Sequence, residues 1–195
     1  IQYEGTDVRD ISLASLRTQA GYVPQEVFLF SDTIKNNIRF ANAGASDEEV
    51  YQAARQASIF NDIASFHLKF ETLVGERGVT LSGGQKQRIS IARALLKKPE
   101  LVILDDCLSA VDTATEKEIL GNLYGYLQNR TAIIITHRIF SLFQFDKIIV
   151  MENGKIAETG NHKELMNLNG IYAEIYRNQQ VKEDEKPANN VANLS

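Results

Sequence analysis

Two rhythms of apolar and polar positions run along the 195 residues. Behind Ser46-Asp47-Glu48-Glu49, which fits a capping box, Val50, Ala53, Ala54 and Ala57 recur at the spacing of one helix face. The pattern is mostly helical from Ser31 to Pro99, with a helix expected from near Gly83 to Pro99 and Lys97 and Lys98 favourably placed in its last turn. Gly21-Tyr22-Val23-Pro24-Gln25 predicts a short strand ended by Pro24, which cannot donate to a ladder. Leu101-Val102-Ile103-Leu104 and Thr131 to Thr136 are apolar without alternation, which suggests strands covered on both faces of a parallel sheet. Between them a helix is expected from Thr113 to Gln128, with Ile119, Leu123 and Leu127 on one face, completing a βαβ unit. Gly121 and Gly125 weaken that helix by about 1 kcal/mol each relative to alanine, so packing must hold it.

The C-terminal part changes character. Asn153-Gly154 between two apolar runs predicts a hairpin. One final helix is expected after Asn161, which forms a capping box with Glu164; its apolar positions are Leu165, Leu168, Ile171, Tyr172 and Ile175. Residues 179–195 are polar and charged and are expected to be a disordered tail. No internal repeat is present.

Composition narrows the function classes. The chain is 44% hydrophobic and 24% charged, an ordinary globular balance. Its net charge of -4 argues against a dedicated nucleic-acid binder. A single cysteine, Cys107, cannot form an internal disulfide and fits a reducing compartment. It reads as a small buried thiol, since no histidine is near it in sequence. His67 and His162 lack metal-ligand spacing and read as surface or capping-region residues. Lys86, Arg88 and Arg93 read as a solvated or carboxylate-paired helix face, and Tyr172 and Tyr176 as packing aromatics.

Two stretches carry chemistry. Leu81-Ser82-Gly83-Gly84-Gln85 opens a helix with two glycines that admit close backbone approach, and free N–H groups at such an end favour an anion. An ordinary Ser-Gly-Gly turn is the other reading of the same residues. Asp105-Asp106 ends an apolar run, where α/β sheets bind ligands, and one carboxylate there suits Mg²⁺ held through water and phosphate oxygens. A helix cap or a solvated turn is the alternative.

Together these residues resemble the nucleotide-binding domain of ATP-binding cassette proteins. Leu81 to Gln85 resembles the signature motif, Leu101 to Asp105 the Walker B strand, and Ser109-Ala110-Val111-Asp112 the D-loop. Gln25 falls at the Q-loop glutamine and His137 at the switch histidine, all in the family's order. Thr72 to Gly78 and Phe28 to Ile34 resemble exporter sequences, the former being exporter X-loop-like. The resemblance implies an α/β, P-loop NTPase-like fold with a mostly parallel core sheet, an inserted helical subdomain at about 31–99 and a C-terminal hairpin plus helix, all within residues 1–178. It implies ATP and Mg²⁺, a second nucleotide-binding domain of a different chain, coupling helices of membrane domains, and the cytoplasmic face of the cell (inner) membrane.

By the same resemblance, Ser82 and Gly84 would contact the γ-phosphate bound to the partner domain, with Gly83 and Gln85 in the same nucleotide-binding motif. Asp105 would hold Mg²⁺ through water, Gln25 would sense the metal or the attacking water, and His137 would hydrogen-bond the γ-phosphate. Asp112 would carry information between the two sites, Ser109 and Asp112 would belong to the nucleotide-binding set, and Glu76 and its neighbours would contact the coupling helices. Two departures stand out. No G-x-x-x-x-G-K-S/T pattern occurs, so the chain alone is expected to bind ATP poorly and hydrolyse essentially none. In the family that motif lies upstream of Ile1, and with the first methionine at Met151 the chain is expected to be part of a longer product. Asp106 stands where the family usually has a catalytic glutamate, and one methylene less can cost on the order of 100-fold in rate. The remaining alternatives are a degenerate, non-catalytic domain and a soluble family ATPase of DNA maintenance or translation.

Overall fold

The computed structural model describes residues 1–75, 78–139 and 144–184. The X-loop-like Glu76 and Arg77, and residues 185–195 of the expected tail, lie outside the described residues. The chain divides into two compact units, residues 1–136 and 137–195.

The first unit opens with a small antiparallel hairpin of β1 (Gln2–Tyr3) and β2 (Thr6–Asp7), then a 3₁₀ turn (Val8–Asp10) and α1 (Leu13–Gln19). Ser12 caps α1 by accepting from the Ser15 N–H at 3.1 Å. The pattern of apolar residues predicts none of these. The chain then enters β3 (Ala20–Val23), which stops before Pro24 as expected. β3, β4 (Leu101–Asp105) and β5 (Thr131–Ile135) form a parallel sheet in that order, with Val23 opposite Leu104 and Asp105 opposite Ile135. Their C-terminal ends are therefore level, and every loop leaving that edge emerges at one place.

Between β3 and β4 lie α2 (Ile34–Arg39), α3 (Asp47–Gln56), α4 (Phe60–Ser65) and α5 (Gly83–Leu96). The Ser46–Glu49 capping box is present in both directions. α2 and α3 pack on α5, whose Ile89, Ile91 and Leu95 are buried. Tyr51, Phe60 and Phe70 stack at centroid distances of 4.6 to 6.1 Å. α6 (Thr113–Leu127) buries Ile119, Leu123 and Leu127, the face the spacing predicts.

One expectation does not hold. β4 buries Val102 and Leu104 on one face only, and β5 is exposed, with Ile133 at 48% and Ile135 at 51%. Among the described residues β5 pairs along one edge only, with β4.

The second unit holds the expected hairpin, β6 (Ile148–Glu152) and β7 (Lys155–Gly160), turned at Asn153 (φ 49°) and Gly154 (φ 75°). Two positive φ values define a turn whose twist matches the strands, and asparagine followed by glycine accommodates both. The single final helix is in fact two, α7 (His162–Leu168) and α8 (Ile171–Asp184). Asn169 ends α7 in the left-handed region at φ 55°. Both Glu158 oxygens, from β7, accept the N–H groups of Ile171 and Tyr172 at 2.6 and 3.1 Å and start α8 anew. α8 runs past Gln179 to Asp184.

Candidate functional site

The first turn of α5 is built by Ser82. Its Oγ accepts the Gln85 N–H at 3.2 Å, and Gln85 Oε1 accepts the Ser82 N–H at 3.1 Å, a capping box at the signature-like motif. Gln85 Nε2 donates to Asp62 Oδ1 at 3.1 Å, so both ends of that amide are engaged inside the unit. Among the described residues the Ser82 hydroxyl only accepts, which leaves its proton available to an outside acceptor. The amides of Gly83 and Gly84 lead the helix with no intrahelical acceptor. The result is one hydroxyl and two N–H groups at the positive end of a helix of 14 residues, an arrangement whose charge favours an anion.

The turn is braced from the side. Arg88 donates to both oxygens of Asp62 at 2.8 and 3.1 Å and to the Ser58 carbonyl at 2.6 Å. Burial raises the Asp62 carboxyl, but the hydrogen bonds from Arg88 and Gln85 and the Arg88 charge outweigh it and hold it below the usual range. Arg88 is thus carboxylate-paired, as expected. Arg93 is not on a solvated face: its guanidinium is half-buried against Phe30 and Phe40.

β4 delivers the acidic pair. Asp105 Oδ2 accepts from the Tyr22 hydroxyl of β3 at 3.1 Å, and that bond raises the Tyr22 phenol. Asp106 turns the chain with φ 42°, and its N–H donates to the Ile135 carbonyl at 2.8 Å. Cys107 and Leu108 are buried beneath the loop; desolvation pushes the Cys107 thiol up to about 12, so it is an inert anchor. Ser109 and Ala110 are exposed at the loop crest. Asp112 caps α6, its Oδ1 accepting from the Thr115 N–H at 3.0 Å.

The signature-like turn and the D-loop-like segment meet directly. A Cβ on Gly84 would lie 2.9 Å from the Ala110 carbonyl oxygen, so only glycine allows this approach. Buried Gln87 accepts from the Ala110 N–H at 3.1 Å and donates to Ser109 Oγ at 3.2 Å. Gln87 is absent from the sequence-derived site. Its signal was a polar side chain on the stripe that also carries Ile91 and Ala94.

Gln25 lies exposed in the bend after β3, two residues past Val23, so it and Asp105 leave the same sheet edge from adjacent strands. His137 is exposed two residues beyond β5 and belongs to the second unit. His162, expected at a cap, is the first residue of α7, with Nδ1 2.8 Å from the Tyr172 hydroxyl. The two exporter-like stretches lie side by side: the Ile34 N–H donates to the Thr72 carbonyl at 2.9 Å and the Val74 N–H to that of Asp32 at 3.0 Å. Beside them Phe30, Ser31, Asp32, Asn36, Asn37 and Phe40 line a cleft of about 370 Å³.

The Asp105 carboxylate fits Mg²⁺: Tyr22 occupies one oxygen and leaves the other as a hard donor. Among the described residues no three His, Cys, Asp or Glu converge on a metal position. No described helix is long and apolar enough to cross a membrane.

Residues 1–109 match the family model described as "ABC transporter". The chain is 46% identical over 93% of its length to ABC transporter B family member 24, mitochondrial, of Arabidopsis thaliana. It is 45% identical over 93% to Iron-sulfur clusters transporter atm1, mitochondrial, of Aspergillus fumigatus, and 44% over 96% to ATP-binding cassette sub-family B member 6 of Mus musculus. It covers 27%, 25% and 23% of those relatives, about a quarter of their length. The solved structure of a bacterial Atm1-family ABC exporter with ATP bound superposes with a TM-score of 0.85 at 42% identity, over 91% of this chain and 31% of that one. With more than half its residues inside the family model and its signature-like helix, Walker B-like strand and following loop assembled as described, the chain belongs to the ABC transporter family.

Proposed function

We propose that this chain is part of the ATP-binding and hydrolysing motor of a membrane exporter, on the cytoplasmic face of the cell (inner) membrane. It works head to tail with a second nucleotide-binding domain on a different chain. The observation that carries the reading is the Ser82-Gly83-Gly84 cradle locked against the loop that follows Asp105-Asp106. Fixed donors there meet the charge of phosphoryl transfer without reorganising.

In this reading the Ser82 proton and the Gly83 and Gly84 amides hold the γ-phosphate of a nucleotide seated on the partner's P-loop. Gln85 stiffens the cradle through its capping bonds. Ser109 and Asp112 present the loop crest to the same nucleotide. At the other site Asp105 and Gln25 would hold Mg²⁺ and its water. His137, by the family resemblance alone, would donate to a γ-phosphate. Mg²⁺ bound there would neutralise charge on the phosphate oxygens. Water attacks the γ-phosphorus, the bond to the bridging oxygen breaks, ADP leaves, and Asp106 orients the water and takes its proton. Aspartate reaches one methylene less than glutamate, so this second site turns over slowly. The exposed rings of Phe28, Phe30 and Phe40 and the cleft beside them offer an apolar seat for a coupling helix of the membrane domain.

The test is ATP turnover by the membrane-embedded assembly in which a P-loop-bearing domain faces this chain. Gly84→Asp places a Cβ against the Ala110 carbonyl and a negative charge in the cradle, and is expected to cut turnover at the partner's site by at least 100-fold. Unchanged turnover would sink the proposal. Asp106 in place of glutamate favours one second reading. There the chain completes its partner's site and hydrolyses nothing at its own. Wild-type turnover in Asp106→Asn assemblies would be its signature.

A further inference from the structure

We infer that Gln87 is a positioning residue that joins the signature turn, Ser82–Gln85, to the loop Ser109–Asp112, so that both are carried to the nucleotide as one body. The inference rests on the ATPase reading above and adds a residue to it.

Gln87 sits one turn into α5 and is 5% exposed. A buried amide must spend both its donor and its acceptor, and this one spends both on a single loop. Oε1 accepts from the Ala110 N–H at 3.1 Å, and Nε2 donates to Ser109 Oγ at 3.2 Å. Ser109 Oγ in turn donates a hydrogen bond to the Asp106 carbonyl at 3.0 Å. Asp106, in its left-handed conformation, is pinned in turn to the Ile135 carbonyl. A continuous line of hydrogen bonds therefore runs from α5 through Ser109 to the residue after Asp105 and on to β5. From the other side, the Ala110 carbonyl rests against Gly84, where no side chain fits. Ala110 is gripped at its N–H by Gln87 and at its carbonyl side by the first turn of the same helix.

The chemistry is specific. Alanine or leucine at 87 offers neither bond. Glutamate keeps an acceptor for the Ala110 N–H but meets Ser109 Oγ with a second acceptor. Ser109 must then swing its proton away from the Asp106 carbonyl. Gln87 is buried with its polar atoms on the loop, so in this reading it acts through Ser109 and Ala110 and not on the nucleotide. Loosening it leaves the cradle and the loop intact but frees each to approach separately, and misplacement of about 1 Å costs on the order of 100-fold in rate.

The experiment has two readouts. On the 195-residue chain, residue-resolved amide exchange measures protection of the Ala110 N–H. In the membrane-embedded assembly facing a P-loop-bearing domain, steady-state kinetics separate kcat from KM for ATP. Gln87→Ala is expected to speed Ala110 exchange roughly 10-fold or more and to lower kcat roughly 10-fold, with KM changed less than about twofold. Gln87→Glu is expected to recover Ala110 protection and part of kcat. Gln87→Ala with Ser109→Ala is expected to fall less than the product of the two single effects, because both break one line of bonds. Should Gln87→Ala fail to fold, Gln87→Glu and Ser109→Ala carry the same comparison.

An unchanged kcat in Gln87→Ala, in an assembly whose unsubstituted form hydrolyses ATP, overturns the inference and leaves the function intact. A rise in KM at constant kcat overturns it as well. If the unsubstituted assembly does not turn over ATP, the functional reading fails and the coupling with it. Ala110 exchange then reports on the Gln87 grip alone.

Discussion

Arg93, near the end of α5, donates through Nη1 to the carbonyl of Phe28, 65 residues earlier, at 3.0 Å. Its other nitrogens donate to the carbonyl and Oδ1 of Asn37 at 2.8 and 3.0 Å. It joins no ion pair among the described residues, and burial pulls its guanidinium below the usual value. The same helix that opens the anion cradle therefore clamps, at its far end, the segment that follows Gln25.

Three carbonyl-type acceptors in a fixed fork suit a planar guanidinium and not an ammonium. Arg93→Met is expected to lower stability by about 1–2 kcal/mol, chiefly the cost of leaving the Asn37 carbonyl without this donor, since Asn37 Oδ1 keeps the Phe30 N–H and the Phe28 carbonyl is exposed. Arg93→Lys should recover less than half of that. Urea unfolding at constant m-value measures both, and equal stability of all three proteins would remove the clamp from the account.

Thr72 presents the opposite case. Its Oγ1 is buried with no hydrogen-bond partner among the described residues, while its carbonyl serves Ile34. Thr72→Val replaces an unsatisfied hydroxyl with a methyl of similar size. A gain of about 1 kcal/mol is expected, since the desolvation penalty disappears and no bond is lost. A lower midpoint in thermal unfolding would mean that the hydroxyl has a partner.

Glu49 sets an acid limit. Lys98 donates to its Oε1 at 2.8 Å, and the Ser46 N–H and O–H donate to Oε2 at 3.0 and 3.2 Å, holding the carboxyl down to about 2. An unfolded glutamate titrates near about 4.3. The folded value is the lower one, so the stabilisation is complete above about 4.3 and is lost as pH falls toward 2. Glu49→Gln keeps the capping geometry and removes the charge. Its stability deficit should be constant above about pH 5 and shrink below about pH 4; a deficit that does not change with pH would refute the assignment.

The start of α8 depends on Glu158 and on the lack of a side chain at Gly170. A Cβ at 170 would collide with Glu158 Oε1 and displace the carboxylate that caps Ile171 and Tyr172. Gly170→Ala and Glu158→Ala should each cost about 1 kcal/mol, the usual worth of a cap. The double variant should cost little more than either alone, because both remove one interaction. Strict additivity would show that they act separately.

What the sequence determined by itself is local. The caps at Ser46 and Asn161, the helix start at Gly83, the stop at Pro24 and the turn at Asn153-Gly154 each depend on groups within four residues, and each lies where the pattern puts it. The family's motifs were legible for the same reason, since each is a short run of fixed residue types. Tertiary structure decided the rest. The break at Asn169 needs Glu158 from another strand, the burial of Arg93 needs Phe28, Phe30 and Phe40, and the grip of Gln87 needs a loop 22 and 23 residues away. The exposure of β5 is of the same kind, because an apolar run does not say which neighbours will cover it. A helix period or a turn dipeptide is written within one or two turns of chain, whereas a buried polar group takes its meaning from whichever distant donor or acceptor the fold brings to it.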